Sequence, residues 1–268
     1  MAKTSAIAPS LWVEFLKIRR SKILWITALA FLLVTLISGL FMFILQDPER
    51  ARRFGLIGAK AQIFGGTADW ASLLNLTLIM LSVGGLIIFG FIFIWIFGRE
   101  FADKTVYDIL SLPTSRITIV MAKLITAACW SLALLLMVFV LTLGVGAILR
   151  LPGWSTAVVL NGLRLVLITG LLTIVLSFPF SLVASVTRGY LPAVGCIFLV
   201  LILGQVISHL GYGQFYPWTI PMYYSGAAEI LTGSTPTPLD LASYILVVIV
   251  SILSLVITCL WWRNADHT

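Results

Sequence analysis

Histidine, cysteine and acidic side chains are scarce in this chain of 268 residues, which holds two histidines, three cysteines and ten aspartates and glutamates. His209 and His267 have no partner pattern: no His-Glu-x-x-His and no paired carboxylates stand at catalytic spacing, so the chain lacks the convergent polar groups that an enzyme needs. Cys129, Cys196 and Cys259 all fall inside apolar runs without ligand spacing, which argues against zinc and disulfides and reads as small buried hydrophobes. No Gly-x-x-x-x-Gly-Lys-Ser/Thr phosphate loop exists, so the chain cannot cradle ATP itself. No catalytic, cofactor-binding or metal-binding residues are expected on it.

What is abundant is apolar mass. The chain is 60% hydrophobic and 10% charged, with a mean hydropathy of +1.11. Runs of roughly 18 or more apolar residues read as membrane-spanning helices, because about 20 residues at 1.5 Å rise cross the hydrocarbon. Uninterrupted apolar runs exclude a barrel, whose strands would alternate polar and apolar residues. Six such runs are expected to span: 23–45, 71–97, 119–149, 165–186, 191–211 and 241–262. The third is longer than one crossing requires and should tilt or protrude. The first ends without a small-residue cleavage site and reads as a retained span. The fold class is therefore an all-α polytopic membrane protein forming a single transmembrane domain over residues 1–268.

The net charge of +7 is distributed at the flanks of spans, which suits topology and lipid contact better than nucleic acid. With an N-terminus in the cytoplasm, eleven of the 17 Lys and Arg residues fall on that side, and the even number of spans returns the C-terminus to it. Residues 9–22 read as an interfacial amphipathic helix. Ser10 is its N-cap, Trp12 and Phe15 anchor it, and Lys17, Arg20 and Lys22 reach lipid head groups. Residues 155–164 suggest an outer interfacial helix that keeps Arg164 out of the bilayer, and Pro179 predicts a kink in the fourth span. The connection 212–240 carries Tyr216-Pro-Trp-Thr-Ile-Pro-Met-Tyr-Tyr224 and only Glu229 and Asp240 as charges, which suits a segment dipping into the outer interface. Its site residues are Tyr216, Pro217, Trp218, Pro221 and Glu229. Tyr224-Ser-Gly226 superficially resembles the serine neighbourhood of an intramembrane protease, but the match is short and His209 precedes the serine.

The polar island at 98–118, Gly98-Arg-Glu-Phe-Ala-Asp-Lys-Thr-Val-Tyr-Asp-Ile-Leu-Ser-Leu-Pro-Thr-Ser-Arg116 and two residues beyond, stands out in so apolar a chain. Residues 100–112 read as a short helix with Val106, Ile109 and Leu110 on one face and Pro113 as its stop. Such an apolar stripe packs either on the chain's own span ends or into a groove of another protein. The spans themselves are nearly free of ionisable residues, so energy for any transport is expected from outside the chain.

Glu100, Thr105, Ile109, Leu110, Pro113, Ser115, Arg116 and Lys123 resemble the cytoplasmic segment of type-2 ABC exporter permeases, in particular the bacitracin-export and lantibiotic-immunity branch. The segment 11–22 resembles that family's interface helix, and Tyr216-Pro-Trp-Thr-Ile-Pro221 its outer segment between spans five and six. Lys104 departs from the pattern, since a glycine is frequent there, and suggests a continuous helix. The resemblance implies a half-transporter in the bacterial cell membrane, its termini cytoplasmic. It pairs with a second permease copy (identical or paralogous), and its coupling helix docks into a separate ATPase that carries ATP and Mg. Glu100, Thr105, Tyr107, Ile109, Leu110 and Arg116 would make that contact. The cargo would be amphipathic: an antimicrobial peptide, a drug or a lipid-like molecule. A substrate-binding membrane subunit of an importer, or a non-transport immunity or scaffold protein, are the other readings.

Overall fold

A computed structural model describes residues 7–47, 49, 67–106, 114–232 and 239–264. Helix α1 (Ile7–Arg19) precedes α2 (Ile23–Leu45), α3 (Trp70–Ala102), α4 (Arg116–Ile148), α5 (Thr156–Val175), α6 (Phe178–Val186) and α7 (Leu191–His209). Two 3₁₀ turns (Gly213–Phe215 and Pro217–Thr219), α8 (Ile220–Tyr224) and α9 (Ala227–Thr232) follow, before α10 (Leu241–Asn264). Six helical units are long and apolar enough to cross a membrane: α2, α3, α4, the pair α5–α6, α7 and α10. The molecule is thus an all-helical, six-span membrane protein.

Helix α3 is the hub, packing against α2, α4, α5, α6 and α7. Its 33 residues extend about 50 Å, well beyond the hydrocarbon, and so does α4 with the same length. The helix that carries the second span runs on past residue 97, through Glu100 to Ala102, because no breaker intervenes. The separate helix expected to start at Glu100 does not start there.

Small hydroxyl side chains bring the spans together. Thr169, Thr173, Ser177, Ser181 and Ser185 recur every fourth residue along α5–α6 and are all buried. Thr173, Ser177 and Ser185 each donate to the carbonyl four residues back, so the hydroxyl is satisfied within its own helix and presents only a small profile to its neighbours. On α10, the helix that packs on α6, Ser251 and Thr258 do the same, and Ser254 donates to the carbonyl three residues back.

The predicted kink near Pro179 is a true interruption at Leu176–Ser177, between α5 and α6. Proline cannot donate to Val175 O, and neighbours supply the missing donors. Ser251 Oγ donates to Val175 O at 3.4 Å and Trp218 Nε1 to Leu176 O at 3.0 Å.

Three further expectations change. Residues 155–164 are no separate interfacial helix: Ser155 caps α5 by accepting Val158 N at 3.2 Å, and the helix runs straight through Arg164. Arg164 is exposed two turns in, where its long stem lets the guanidinium reach back to the interface. Ser10 is not an N-cap, because α1 already begins at Ile7 and accommodates Pro9 in its first turn. Cys129 is exposed on α4 rather than buried, and Cys196 and Cys259 are half-buried; all three are free thiols.

Candidate coupling site

The sequence places one acidic residue, Glu14, between Leu11 and Ile18 on the repeat that α1 turns toward the bundle. Glu14 and Ile18 are indeed the buried residues of α1, whereas Trp12, Val13 and Phe15 are exposed. A carboxylate facing a protein interior needs a counter-charge. Lys123, four residues past Ile119 and three past Val120 in the second turn of α4, is fully buried and supplies it. Glu100, in the last turn of α3, is 2% exposed and completes the group together with Lys17.

The four side chains form a closed, neutral network. Lys17 Nζ donates to Glu14 Oε1 at 2.8 Å and to Glu100 Oε1 at 2.7 Å. Lys123 Nζ donates to Glu100 Oε1 at 2.7 Å, to Glu14 Oε1 at 3.3 Å and to the Ile96 carbonyl at 3.4 Å. Each lysine thus bridges both carboxylates, and three helices (α1, α3 and α4) are tied at one point. Burial opposes the charged form of Lys17, but Glu14 and then Glu100 outweigh it and hold its pKa above the usual 10.5. Glu100 Oε2 is buried and has no hydrogen-bond partner.

Immediately beyond this knot α3 stops. Thr105 N bonds to Glu100 O at 3.0 Å and Lys104 N to Phe101 O at 3.3 Å, with Lys104 at φ 56°. This is a Schellman cap with a lysine in the left-handed position that favours glycine. The expectation that Lys104 keeps the helix continuous is therefore corrected: Lys104 adopts the bend despite its side chain, and its charge lies at the negative end of the α3 dipole. Arg150 and Arg188 end α4 and α6 in the same way, at φ 50° and 52°.

On the far side of the island Ser115 caps α4, its Oγ accepting Thr118 N at 3.1 Å. Arg116 Nη1 donates to the carbonyls of Trp262 at 3.3 Å and Arg263 at 3.2 Å, holding the last turn of α10. Trp262 is fully buried there, donating from Nε1 to Ser185 Oγ at 3.0 Å, with Phe97 and Phe101 against its ring.

The predicted contact residues thus separate. Glu100 is enclosed within the chain and Arg116 is half-buried against α10, while Thr105 is exposed. Tyr107, Ile109 and Leu110 lie outside the described residues. Of the interface residues, Trp12, Phe15 and Arg20 are exposed, but Lys17 faces inward to the network instead of reaching lipid. The signal for the network was in the sequence: Glu14 on an inward repeat and Lys123 inside an apolar run each demand an opposite charge.

At the other end of the bundle the segment after α7 folds against the helices. Tyr216 Oη donates to Val200 O at 3.2 Å, near the middle of α7, and Trp218 reaches the α5–α6 break as described. Pro221 is buried beside Ile220 and Met222, and Met222 packs with Ala227 and Ala228 on Ile79 of α3. Pro217 opens the second 3₁₀ turn, and Glu229 lies in the first turn of α9. Ser225 is held by Ser82 Oγ at 3.0 Å and its own Met222 carbonyl. Among the described residues no group of three or more His, Cys, Asp or Glu side chains is placed to hold a metal.

Residues 10–205 match the model of the ABC-2 family transporter proteins, most of the chain. The chain belongs to this family. The permease is also 27% identical over 194 residues to the bacitracin transport permease protein BCRB of Bacillus licheniformis, covering 72% of this chain and 89% of that one. The permease is therefore a membrane subunit of an ABC transporter and not itself catalytic; proteins of this family generally work with an ATPase partner. The matched region contains α1 from Ser10 onward, the charge network and the whole island, but stops before the outer segment and α10.

Proposed function

We propose that this permease is the membrane half of an ATP-driven exporter for amphipathic molecules. A separate ATPase carries ATP and its Mg ion and docks on the coupling segment between α3 and α4. The observation that carries this reading is the mechanical continuity at the island. The segment leaves α3 through the Lys104 cap, one turn from a charge knot that also grips α1 and α4, and re-enters at Arg116, which grips α10. A push delivered between residues 103 and 115 is thereby shared by α1, α3, α4 and α10. Both termini and the island face the cytoplasm, and a second permease copy, identical or paralogous, covers part of the apolar faces that α2, α7 and α10 leave open.

The apolar spans suit a cargo that is itself amphipathic, such as an antimicrobial peptide, and the similarity to a protein named for bacitracin transport supports that class. The segment 212–240 is re-entrant in this reading, since Tyr216 and Trp218 reach backbone groups far from the span ends.

Ile109→Asp tests the docking. The variant should insert normally yet lose the ATPase in co-purification and lose transport; an ATPase that still co-purifies and cycles refutes the coupling role. Cysteines at Trp218 and Met222 should resist a membrane-impermeant thiol reagent, whereas rapid complete labelling would make the segment a surface loop.

A further inference from the structure

Helix α1 has two faces of unlike chemistry, and only the inner one is accounted for by the coupling network. On the outer side Trp12 is 70% exposed, with Val13 and Phe15 also exposed, and Trp25 in the first turn of α2 is 73% exposed. Between these aromatic groups the corner from α1 to α2 carries Arg19, Arg20 and Lys22, all exposed. No carboxylate pairs with any of the three among the described residues, because Glu14, the nearest acid, is turned inward and consumed by Lys17 and Lys123. Lys22 is the N-cap residue of α2 and makes no side-chain cap, so a cation sits against the positive end of a 23-residue helix. That placement is unfavourable unless an anion lies beside it.

Exposed indole rings on both sides of a cluster of cations that no carboxylate pairs match a membrane interface with negative charge: rings among the upper acyl chains, ammonium and guanidinium groups at phosphate depth. A soluble anion would match the cations but leave the rings in water. We infer that the α1–α2 corner is a binding site for anionic phospholipid of the leaflet that faces the ATPase, and that lipid held there sets the coupling segment through Glu14 and Lys17. The link is short, because the helix that carries the corner is the one whose inner face binds Glu100, five residues before Thr105. The lipid effect on turnover rests on the ATPase coupling proposed above; lipid binding itself does not.

The test has two arms. In the first, the purified permease is equilibrated in detergent with phosphatidylglycerol and phosphatidylcholine, and retained lipid per chain is measured by mass spectrometry. Each basic side chain at an anionic surface contributes about fivefold. The wild type should therefore favour phosphatidylglycerol by at least about tenfold, the Arg19→Gln/Arg20→Gln/Lys22→Gln variant should lose the preference, and Arg19→Lys/Arg20→Lys should keep it. Equal retention of the two lipids by the wild type, an undiminished preference in the glutamine variant, or displacement of the lipid by equimolar inorganic phosphate would overturn the site.

In the second arm the permease–ATPase complex is placed in nanodiscs of phosphatidylcholine, with or without about one-third phosphatidylglycerol. ATPase rate should rise severalfold with the anionic lipid in the wild type. In Glu14→Gln it should not respond, although lipid retention persists. A rate indifferent to lipid charge while the ATPase stays bound overturns the link to the coupling segment and leaves the exporter reading standing. Failure of the ATPase to co-purify sinks the exporter reading and the lipid effect on turnover together, while the retention arm still decides the lipid site.

Discussion

The two ends of the bundle are joined by opposite means. At the α1 end three helices meet on four charges, three of them buried and Lys17 half-buried, and Arg116 reaches across to the carbonyls of α10. At the opposite end, where α3 begins and α4 ends, the joint is made of rings and backbone. Asp69 caps α3, Trp70 N bonds to Pro152 O at 3.2 Å, and the Trp70 ring lies over Gly146 and edge-on to Trp154. A charge network is strong only while every member is present, since each carboxylate or ammonium left alone in the interior is costly. Ring packing fails locally and in proportion to the volume displaced.

Substitutions can break this contrast. The largest effect is expected from Lys123→Ala, which strands Glu100 and Glu14 with a single lysine and should cost about 3–5 kcal/mol, read as a fall in the melting temperature in detergent. Lys123→Met with Glu100→Gln removes one charge of each sign and leaves the Glu14–Lys17 pair, so most of the loss should return. If the double variant melts as low as the single one, packing and not charge governs that end.

Gly146→Ala attacks the other joint. An added Cβ would lie 2.5 Å from the Trp70 ring, and overpacking of this kind should cost about 1–3 kcal/mol. Trp70→Phe in the same chain should relieve part of it, whereas strict additivity of the two changes would show that the ring and the glycine are independent.

Asp69→Ala should cost about 1 kcal/mol through the lost cap to Ser72 N. Burial pushes the Asp69 carboxyl up, but the hydrogen bonds from Ser72 and Thr67 outweigh it and hold its pKa below the usual 3.8. The cap's contribution is then full above that value and fades as pH falls through the folded-state pKa. The wild type and Asp69→Ala should melt progressively closer together as the medium is acidified to pH 2–3. Lys17 behaves oppositely: its raised pKa keeps the charged end intact until the medium exceeds the ordinary lysine value of 10.5.

The smallest change is expected from Lys104→Gly. Relief of the left-handed strain should stabilise by about 1 kcal/mol, partly offset by losing a cation at the helix terminus. A destabilised variant would mean that the Lys104 side chain holds something at the start of the coupling segment.

Much of this was readable from residue order alone. Uninterrupted apolar runs marked out six membrane-spanning helices, the number that the fold contains among the described residues. Pro179 announced the break in the fourth span. Helix ends were not legible where a helix runs past its apolar stretch, as α3 does through Glu100, because hydropathy reports the solvent and not the hydrogen-bond ladder. The island was correctly singled out as polar, but Glu100 and Arg116, taken from it as surface contacts, are engaged inside the chain by Lys17, Lys123 and the end of α10.

Local chemistry by itself determined the membrane class, the six spans and the proline break, since each follows from composition or neighbours within a few turns. Only the tertiary structure decided that Glu14, Lys17, Glu100 and Lys123 form one network. They are separated by up to 109 residues, and nothing in a one-dimensional pattern pairs charges on α1, α3 and α4 until packing removes the water that would otherwise solvate each one.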